Sequence, residues 1–337
     1  MDGNLENEPI NSIEEIDRAI VDLVQQRIEH LRHAGSREQS AGDVADNERL
    51  RHLIRHIDSL CHAEIAPRRS LFLGPEFSYT HLAAIKYFGD AAPLNPVSTI
   101  ADVFDGVVRS QASRGVVPIE NSTDGGIVDT LSMFVRNPVK ICGEVLLPIH
   151  HCLLGRCELG EITEIYSKPQ AISQCRGWLA KHLPGLELKE ARSTTAAAQM
   201  AAEQETVAAI ASEAAGTRYR LRVIAANIED NLHNVTRFAV LGNEEPDPTG
   251  NDKTSLLFQV VHRPGALGDV MNVFKQHELN LTWIESYPMP AKPNEYLFFV
   301  ELDGHKDELS ASGVWTDLES IVQRCDVLGS YPKGSTA

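Results

Sequence analysis

"SLFLGPEFSYTHLAAIKYFG", residues 70–89, decides the fold class of this chain. "SLFL" is a short apolar run of strand length, Gly74-Pro75 breaks it, and "SYTHLAAIKYFG" carries a helical pattern. The same strand–turn–helix alternation spreads outward. "RGVVPIENS" (114–122) is a strand and a turn, and "EIYSKPQAISQCRGWLAKH" (164–182) is strand, turn and helix again. "TAAAQMAAEQ" (195–204) is a strong helix, "TVAAIAS" (206–212) a short strand, and "EAAGTRY" (213–219) helical. Residues 67–245 therefore read as an α/β domain with helix-covered sheets, which either a single sheet or two lobes would satisfy.

The flanks differ in pattern. In 1–66, Ile13, Ile16, Ile20, Leu23 and Leu31 form an amphipathic stripe, and Leu50, Leu53, Ile57 and Leu60 form a second beyond the polar stretch "GSREQSAGDVADNE". That predicts a helical hairpin, thin enough in its core to favour dimerisation. After the Gly/Pro/Asp-rich linker "GNEEPDPTGND", residues 252–332 follow the order βαββαβ: "TSLLFQVV", a helix over 266–277, "LNLTWIESYP", "EYLFFVEL", a helix, and "CDVLGSYP". This is the ferredoxin-like split unit.

Composition excludes several function classes. The chain has 337 residues, 42% of them apolar, and no run long enough to span a membrane. A net charge of −16 argues against nucleic acid as a partner. No secretory signal opens the sequence, and six sparse cysteines fit a reducing cytoplasm. Cys152 and Cys157 are not at zinc-ligand spacing, and there is no nucleophile elbow, P-loop or GxGxxG. Cofactor-free, metal-free chemistry in the cytoplasm is the expectation.

Four polar clusters end strands of the middle block: "GPEFSYTH" (74–81), "PIENSTDGG" (118–126), "RSTTAAA" (192–198) and "NVTRF" (234–238). Each taken singly reads as a helix cap. Together they suggest an anion-binding cleft built from hydroxyls, amides and helix N-termini. Glu120 and Asp124 read either as an acid/base pair or as turn carboxylates, and His150-His151 reads first as a core or interface pair. In the last block "RPGALGDV" puts glycines where strand yields to helix. A small amino acid docked there would set its carboxylate on those N–H groups and its ammonium near Glu285.

With these motifs in order, "GPEFSYTHLAA", "VVPIENSTDGGIVDTL", "YSKPQAISQC", "STTAAA", "NVTRFAVLG", and then "GALG" with "ESYP", residues 71–332 resemble prephenate dehydratase followed by an ACT regulatory domain. The resemblance implies a two-lobed α/β dehydratase of the periplasmic-binding-protein type plus an α+β ferredoxin-like ACT domain. It also implies conversion of prephenate to phenylpyruvate, water and carbon dioxide in L-phenylalanine biosynthesis. It implies Thr236, Arg237, Phe238 and Glu120 at the catalytic centre, with Thr236 hydrogen-bonding the departing hydroxyl. Arg237 either neutralises a carboxylate or packs structurally. Ser78, Tyr79, Thr80, Asn121, Ser122, Thr123, Ser193, Thr194, Thr195 and Asn234 fall to substrate binding. Gly265, Ala266, Leu267, Gly268, Glu285 and Ser286 fall to phenylalanine feedback, with Tyr287 replacing the arginine of the family's Glu-Ser-Arg-Pro motif. Phe77 stands where the family commonly has glycine, and Lys168 where it often has histidine.

The first block resembles a shortened chorismate mutase domain, with Arg27 and Arg37 as its possible substrate-binding arginines and a third helix missing. A degenerate mutase retained as a dimerising hairpin is the leading expectation. The alternatives are an active mutase, an arogenate dehydratase and a non-catalytic amino-acid sensor. A homodimer or homotetramer is expected.

Overall fold

The computed structural model describes residues 12–34, 50, 53–54, 56–57, 60–61, 64, 69–289 and 295–335. Contacts divide the chain into two compact units: 1–68 with 88–93, and 69–87 with 94–337.

In the first unit, helix α1 runs Ile13–Ala34. Ser12 caps its start by accepting from the Glu15 N–H at 3.2 Å, and Glu14 and Glu15 place negative charge in the first turn. Its apolar stripe is largely open: Ile13 is 77% exposed and Leu23 63%, whereas Leu31 is buried. Leu50, Leu53, Ile57 and Leu60 are also helical, which matches the second stripe. Arg37 lies outside the described residues.

Among the described residues, the second unit contains three sheets. Strands β1 (Ser70–Leu73), β2 (Leu94–Val97), β3 (Arg114–Asn121), β4 (Gly125–Gly126) and β5 (Lys140–Pro148) start a first lobe, with helices α2 (Tyr79–Phe88), α3 (Ile100–Val108) and α4 (Val128–Arg136). The chain then crosses into a second lobe made of β6 (Cys152–Gly155), β7 (Glu164–Ser167), α5 (Pro169–Gln174), α6 (Arg176–His182), β8 (Glu187–Glu190), α7 (Thr194–Ala202), β9 (Val207–Ala211), α8 (Glu213–Tyr219) and β10 (Arg222–Ala225). It returns as β11 (Val235–Gly242). The sheet orders are β2-β1-β3-β11-β5 and β10-β6-β9-β7-β8. The returning strand is inserted antiparallel between β3 and β5, so the end of the second lobe is woven into the middle of the first. Of the two layouts the sequence allowed, the two-lobed one is adopted.

The two connecting segments are zipped together where they cross. Ile149 N–H donates to the Asn234 carbonyl at 2.8 Å and Ile228 N–H to the His151 carbonyl at 2.9 Å. Buried Glu229 accepts from the His151 N–H at 2.8 Å and lies 2.8 Å from His150 Nδ1.

The third sheet comprises β12 (Asp252–Gln259), α9 (Ala266–Gln276), β13 (Leu281–Pro288), β14 (Tyr296–Asp303), α10 (Lys306–Ser310), α11 (Val314–Ile321) and β15 (Arg324–Pro332). Its all-antiparallel order β13-β14-β12-β15 is the ferredoxin-like arrangement. One face packs on its own helices through Leu256, Phe258, Val270, Phe274, Val300 and Leu318. The other joins the first lobe's core, where Leu257, Tyr287, Leu297, Phe299 and Tyr331 share one cluster with Phe104, Leu131, Phe134 and Ile141. Backbones touch at that seam: Gly329 has φ 153°, and a Cβ there would overlap the Ile141 carbonyl.

Candidate active site

The insertion of β11 beside β3 sets the site. Thr236 is paired in register with Asn121, and Arg237 with Glu120. Alternation along a strand sends neighbouring side chains to opposite faces, so the two residues of the motif go separate ways.

On one face lies a closed amide–hydroxyl cluster. Buried Asn121 donates from Nδ2 to Thr236 Oγ1 at 2.8 Å and to Asn234 Oδ1 at 2.9 Å. Its Oδ1 accepts from the N–H groups of Thr123 (3.0 Å) and Asp124 (3.2 Å). Every hydrogen-bonding position of Asn121 is thereby occupied. The Thr236 oxygen receives a donor, and its own proton is left to be given elsewhere. A hydroxyl that accepts one hydrogen bond is polarised into a better donor for the next.

Around this pair the hinge and the second lobe close in. Asn234 Nδ2 donates to Gln174 Oε1 at 3.3 Å. Asp124 Oδ2 accepts from Gln174 Nε2 at 2.9 Å and Gln170 Nε2 at 2.5 Å, a bond between the lobes. His151 Nε2 lies 3.0 Å from Gln174 Oε1 and its Nδ1 3.1 Å from the Tyr79 hydroxyl, which donates to the His150 carbonyl at 2.6 Å. An amide oxygen only accepts, so the His151 proton sits on Nε2. Burial lowers the His151 pKa and raises that of Tyr79 well above its usual value, so both are neutral near pH 7.

Arg237 goes to the opposite face. Its guanidinium grips Glu301 of β14 with two bonds, Nη1 to Oε2 at 2.5 Å and Nη2 to Oε1 at 2.7 Å. Glu120 lies 3.1 Å from Nε, out of hydrogen-bond alignment, and Trp283 covers the guanidinium at 5.1 Å from its ring centre. Lys253 bridges Glu144 (3.0 Å) and Glu301 (3.4 Å), and Ser255 and Tyr331 also donate to Glu301. Burial alone would raise the Glu301 pKa, but Arg237 and Lys253 outweigh it and hold the carboxyl below its usual range. Of the two sequence readings of Arg237, the structural one fits this geometry. Phe238 is a fully buried core residue.

The other expected residues separate into caps and free donors. Ser78 accepts from the His81 N–H, and Ser193 caps α7 by accepting from Ala196 N–H at 3.0 Å. Ser122 pins the start of β11 by accepting from Val235 N–H at 2.9 Å, and Thr123 Oγ1 accepts from Asn231. Thr80 is buried and Thr194 half-buried. Thr195, at the first turn of α7, is 2% exposed with no partner for Oγ1, a donor left open. Glu120 and Asp124 are engaged separately, the first by Arg237 and the second by the two glutamines. Phe77 takes φ 63°, the left-handed region that glycine adopts without strain. Its ring compensates by packing edge-on to His81 and under Arg218.

Gln170, Gln174 and Glu301 were not singled out in the sequence. The first two are four apart in "KPQAISQC", one face of a helix; Glu301 is the one acid inside the apolar run "YLFFVEL".

In the third sheet a cavity of 380 Å³ is lined by Gly265, Ala266, Leu267 and Gly268 together with Val260, Arg263 and Phe298. Gly265 caps α9 at φ 82°, which a side chain would strain. Glu285 and Ser286 do not line this cavity: Ser286 is exposed on edge strand β13, and the Glu285 side chain lies against Gly126 of β4. Cys142, Cys152, Cys157, Cys175 and Cys325 form no disulfide, and burial pushes Cys142 up to about 11. Among the described residues no cluster of His, Cys, Asp or Glu is arranged to hold a metal, and no helix is long and apolar enough to cross a membrane.

Comparison with known proteins bears on this geometry. The prephenate dehydratase family profile matches residues 71–246. A bifunctional chorismate mutase/prephenate dehydratase of Aquifex aeolicus is 43% identical over 87% of this chain and 81% of its own. The protein of the same description from Neisseria gonorrhoeae is 35% identical over 96% of this chain and 95% of its own. A crystal structure of prephenate dehydratase from Arthrobacter aurescens in complex with L-Phe superposes with a TM-score of 0.73 at 31% identity, covering 80% of this chain and 91% of that one. The chain belongs to the prephenate dehydratase family.

Proposed function

We propose that this protein converts prephenate to phenylpyruvate, water and carbon dioxide, with Thr236 as the group that hydrogen-bonds the departing ring hydroxyl. One observation carries the assignment: the Thr236 oxygen is held by Asn121 Nδ2 at 2.8 Å, which leaves the Thr236 proton as the donor. A threonine hydroxyl is too weak an acid to transfer its proton outright. Its contribution is a hydrogen bond that strengthens as negative charge develops on the leaving oxygen. Loss of carbon dioxide supplies the electron pair that expels that oxygen as hydroxide, solvent supplies the proton that turns it into water, and aromatisation of the ring drives both. The substrate carboxylates are held by neutral donors, Thr195 Oγ1 and the first N–H groups of α7 among them. Arg237 is left out, since Glu301 already takes its bidentate face.

The cavity at the start of α9 is the phenylalanine site in this reading. The helix N–H groups of Leu267 and Gly268 would receive a carboxylate, and Val260 and Phe298 offer an apolar wall. The enzyme works in the cytoplasm as a homodimer or homotetramer. A second activity, chorismate mutase in the first block, is favoured by the Neisseria gonorrhoeae relative, which aligns over nearly the whole chain, and by Arg27 on α1.

The test is phenylpyruvate release by purified wild type and Thr236→Ala, each with and without phenylalanine. Wild-type turnover, a loss of at least ~100-fold in the variant and inhibition by phenylalanine are expected. Turnover of arogenate alone moves the assignment to that substrate, and silence on both leaves an amino-acid sensor. Consumption of chorismate by the same preparation decides the mutase.

A further inference from the structure

Arg237 is one residue from Thr236 on β11, yet its strongest partner is outside both lobes. Glu301 belongs to β14 of the third sheet, is fully buried, and closes a two-pronged bond of 2.5 and 2.7 Å on the guanidinium. The grip is stiffened from every side. Lys253, Ser255 and Tyr331 bind the Glu301 carboxylate, and Glu120, register partner of Arg237, flanks Nε. Glu120 is followed by Asn121, the residue that holds the Thr236 oxygen. Glu120 also pairs with Gly126 of β4, and Glu285 of the neighbouring strand β13 rests on Gly126. The third sheet thus sets Glu301 against Arg237 behind the strand pair whose front carries Asn121 and Thr236, and Glu285 against Gly126 of the adjoining β4. Against β3 the β11 ladder carries a register irregularity between Arg237 and Phe238, just beyond Thr236, whereas against β5 it runs unbroken from Val235 to Val240.

We propose that Glu301 is a positioning residue for the dehydration. Through Arg237 it fixes the end of β11, and hence the direction of the Thr236 hydroxyl, from the regulatory sheet. This rests on the proposed role of Thr236. It deepens it by naming the rigid contact through which the state of the third sheet reaches the catalytic hydroxyl. A purely structural bolt would hold the domains together and leave the chemistry indifferent to how they are held.

The experiment compares full-length wild type, Glu301→Gln and the double variant Arg237→Met/Glu301→Leu by thermal melting, amide hydrogen exchange and steady-state kinetics on prephenate. In Glu301→Gln, exchange at residues 235–237 should rise at least about tenfold relative to residues 239–241 of the same strand. Its kcat should fall by about ten- to a hundredfold, with KM changed by less than about twofold. The double variant removes both buried charges, so its melting temperature should return towards wild type, while kcat stays low. Unchanged exchange at 235–237, or a kcat that returns with stability in the double variant, overturns the proposal. If wild type does not turn over prephenate, the functional reading fails, and exchange at 235–237 still decides whether Glu301 positions Thr236.

Discussion

The two lobes bury their strands by different means. In the first lobe the core is large-residue and shared: Phe104, Leu131, Phe134 and Ile141 pack with Phe299, Leu297 and Tyr331 of the third sheet in one cluster. The second lobe is self-contained and small-residue, with Ala197, Ala198, Ala201, Ala209, Ala211 and Ala215 filling one side of β9 and Ile165, Leu179 and Ile210 the other. Its ties to the rest are the two zipped crossing segments and the few bonds converging on Asp124 and Phe77. The first lobe and the third sheet therefore behave as a single packed body, with the second lobe hung from it. The third sheet is thus built into the same core that carries the strand of Thr236, whereas the second lobe has cores of its own.

The comparison is broken most severely at the shared core. Phe299→Ala empties a fully buried ring that packs edge-on to Tyr287. It should cost about 3–5 kcal/mol, and calorimetry should show the first lobe and the third sheet melting together at the lowered temperature. A separate transition for the third sheet would mean that the cores are independent. A smaller effect is expected at the inter-lobe bond. Asp124→Ala deprives Gln170 and Gln174 of their acceptor, and the loss of roughly 1 kcal/mol should appear as about a fivefold rise in KM for prephenate. The melting temperature should hardly move, because the variant touches neither core.

The smallest effect is one of pH. Burial lowers the pKa of His151 at the crossing and of His81 on α2. The unfolded chain binds protons on these rings at a higher pH than the folded one does. Their contribution to stability is therefore complete above the unfolded value of about 6.5 and is lost as pH falls through the lower folded values. Urea midpoints should decline below that pH, and His151→Asn should make the decline shallower. An unchanged slope would place the titration elsewhere.

Much of this was open to reading in the one-dimensional pattern. Alternation of apolar runs with helical segments determined the α/β block, and the βαββαβ order determined the third sheet, because strand and helix periods are local properties of the chain. Asn121, Thr195, Asn234 and Thr236 were legible as polar groups at strand and helix ends. Gln170 and Gln174 were not, since a half-buried amide on a short helix has no signature until a carboxylate from another lobe faces it. The cavity residues Gly265, Ala266, Leu267 and Gly268 were legible in the same way, while the lodging of Glu285 against Gly126 was not.

By itself the sequence determined that Thr236 and Arg237 adjoin each other on a buried strand beginning at a polar turn. Only the tertiary structure decided that they serve different masters. The insertion of β11 between β3 and β5 turns Thr236 towards Asn121 and Arg237 towards Glu301, sixty-four positions away along the chain. Period-two alternation separates neighbouring side chains by a whole sheet thickness. Which partner awaits on each side is a property of packing at long range, and local sequence does not carry it.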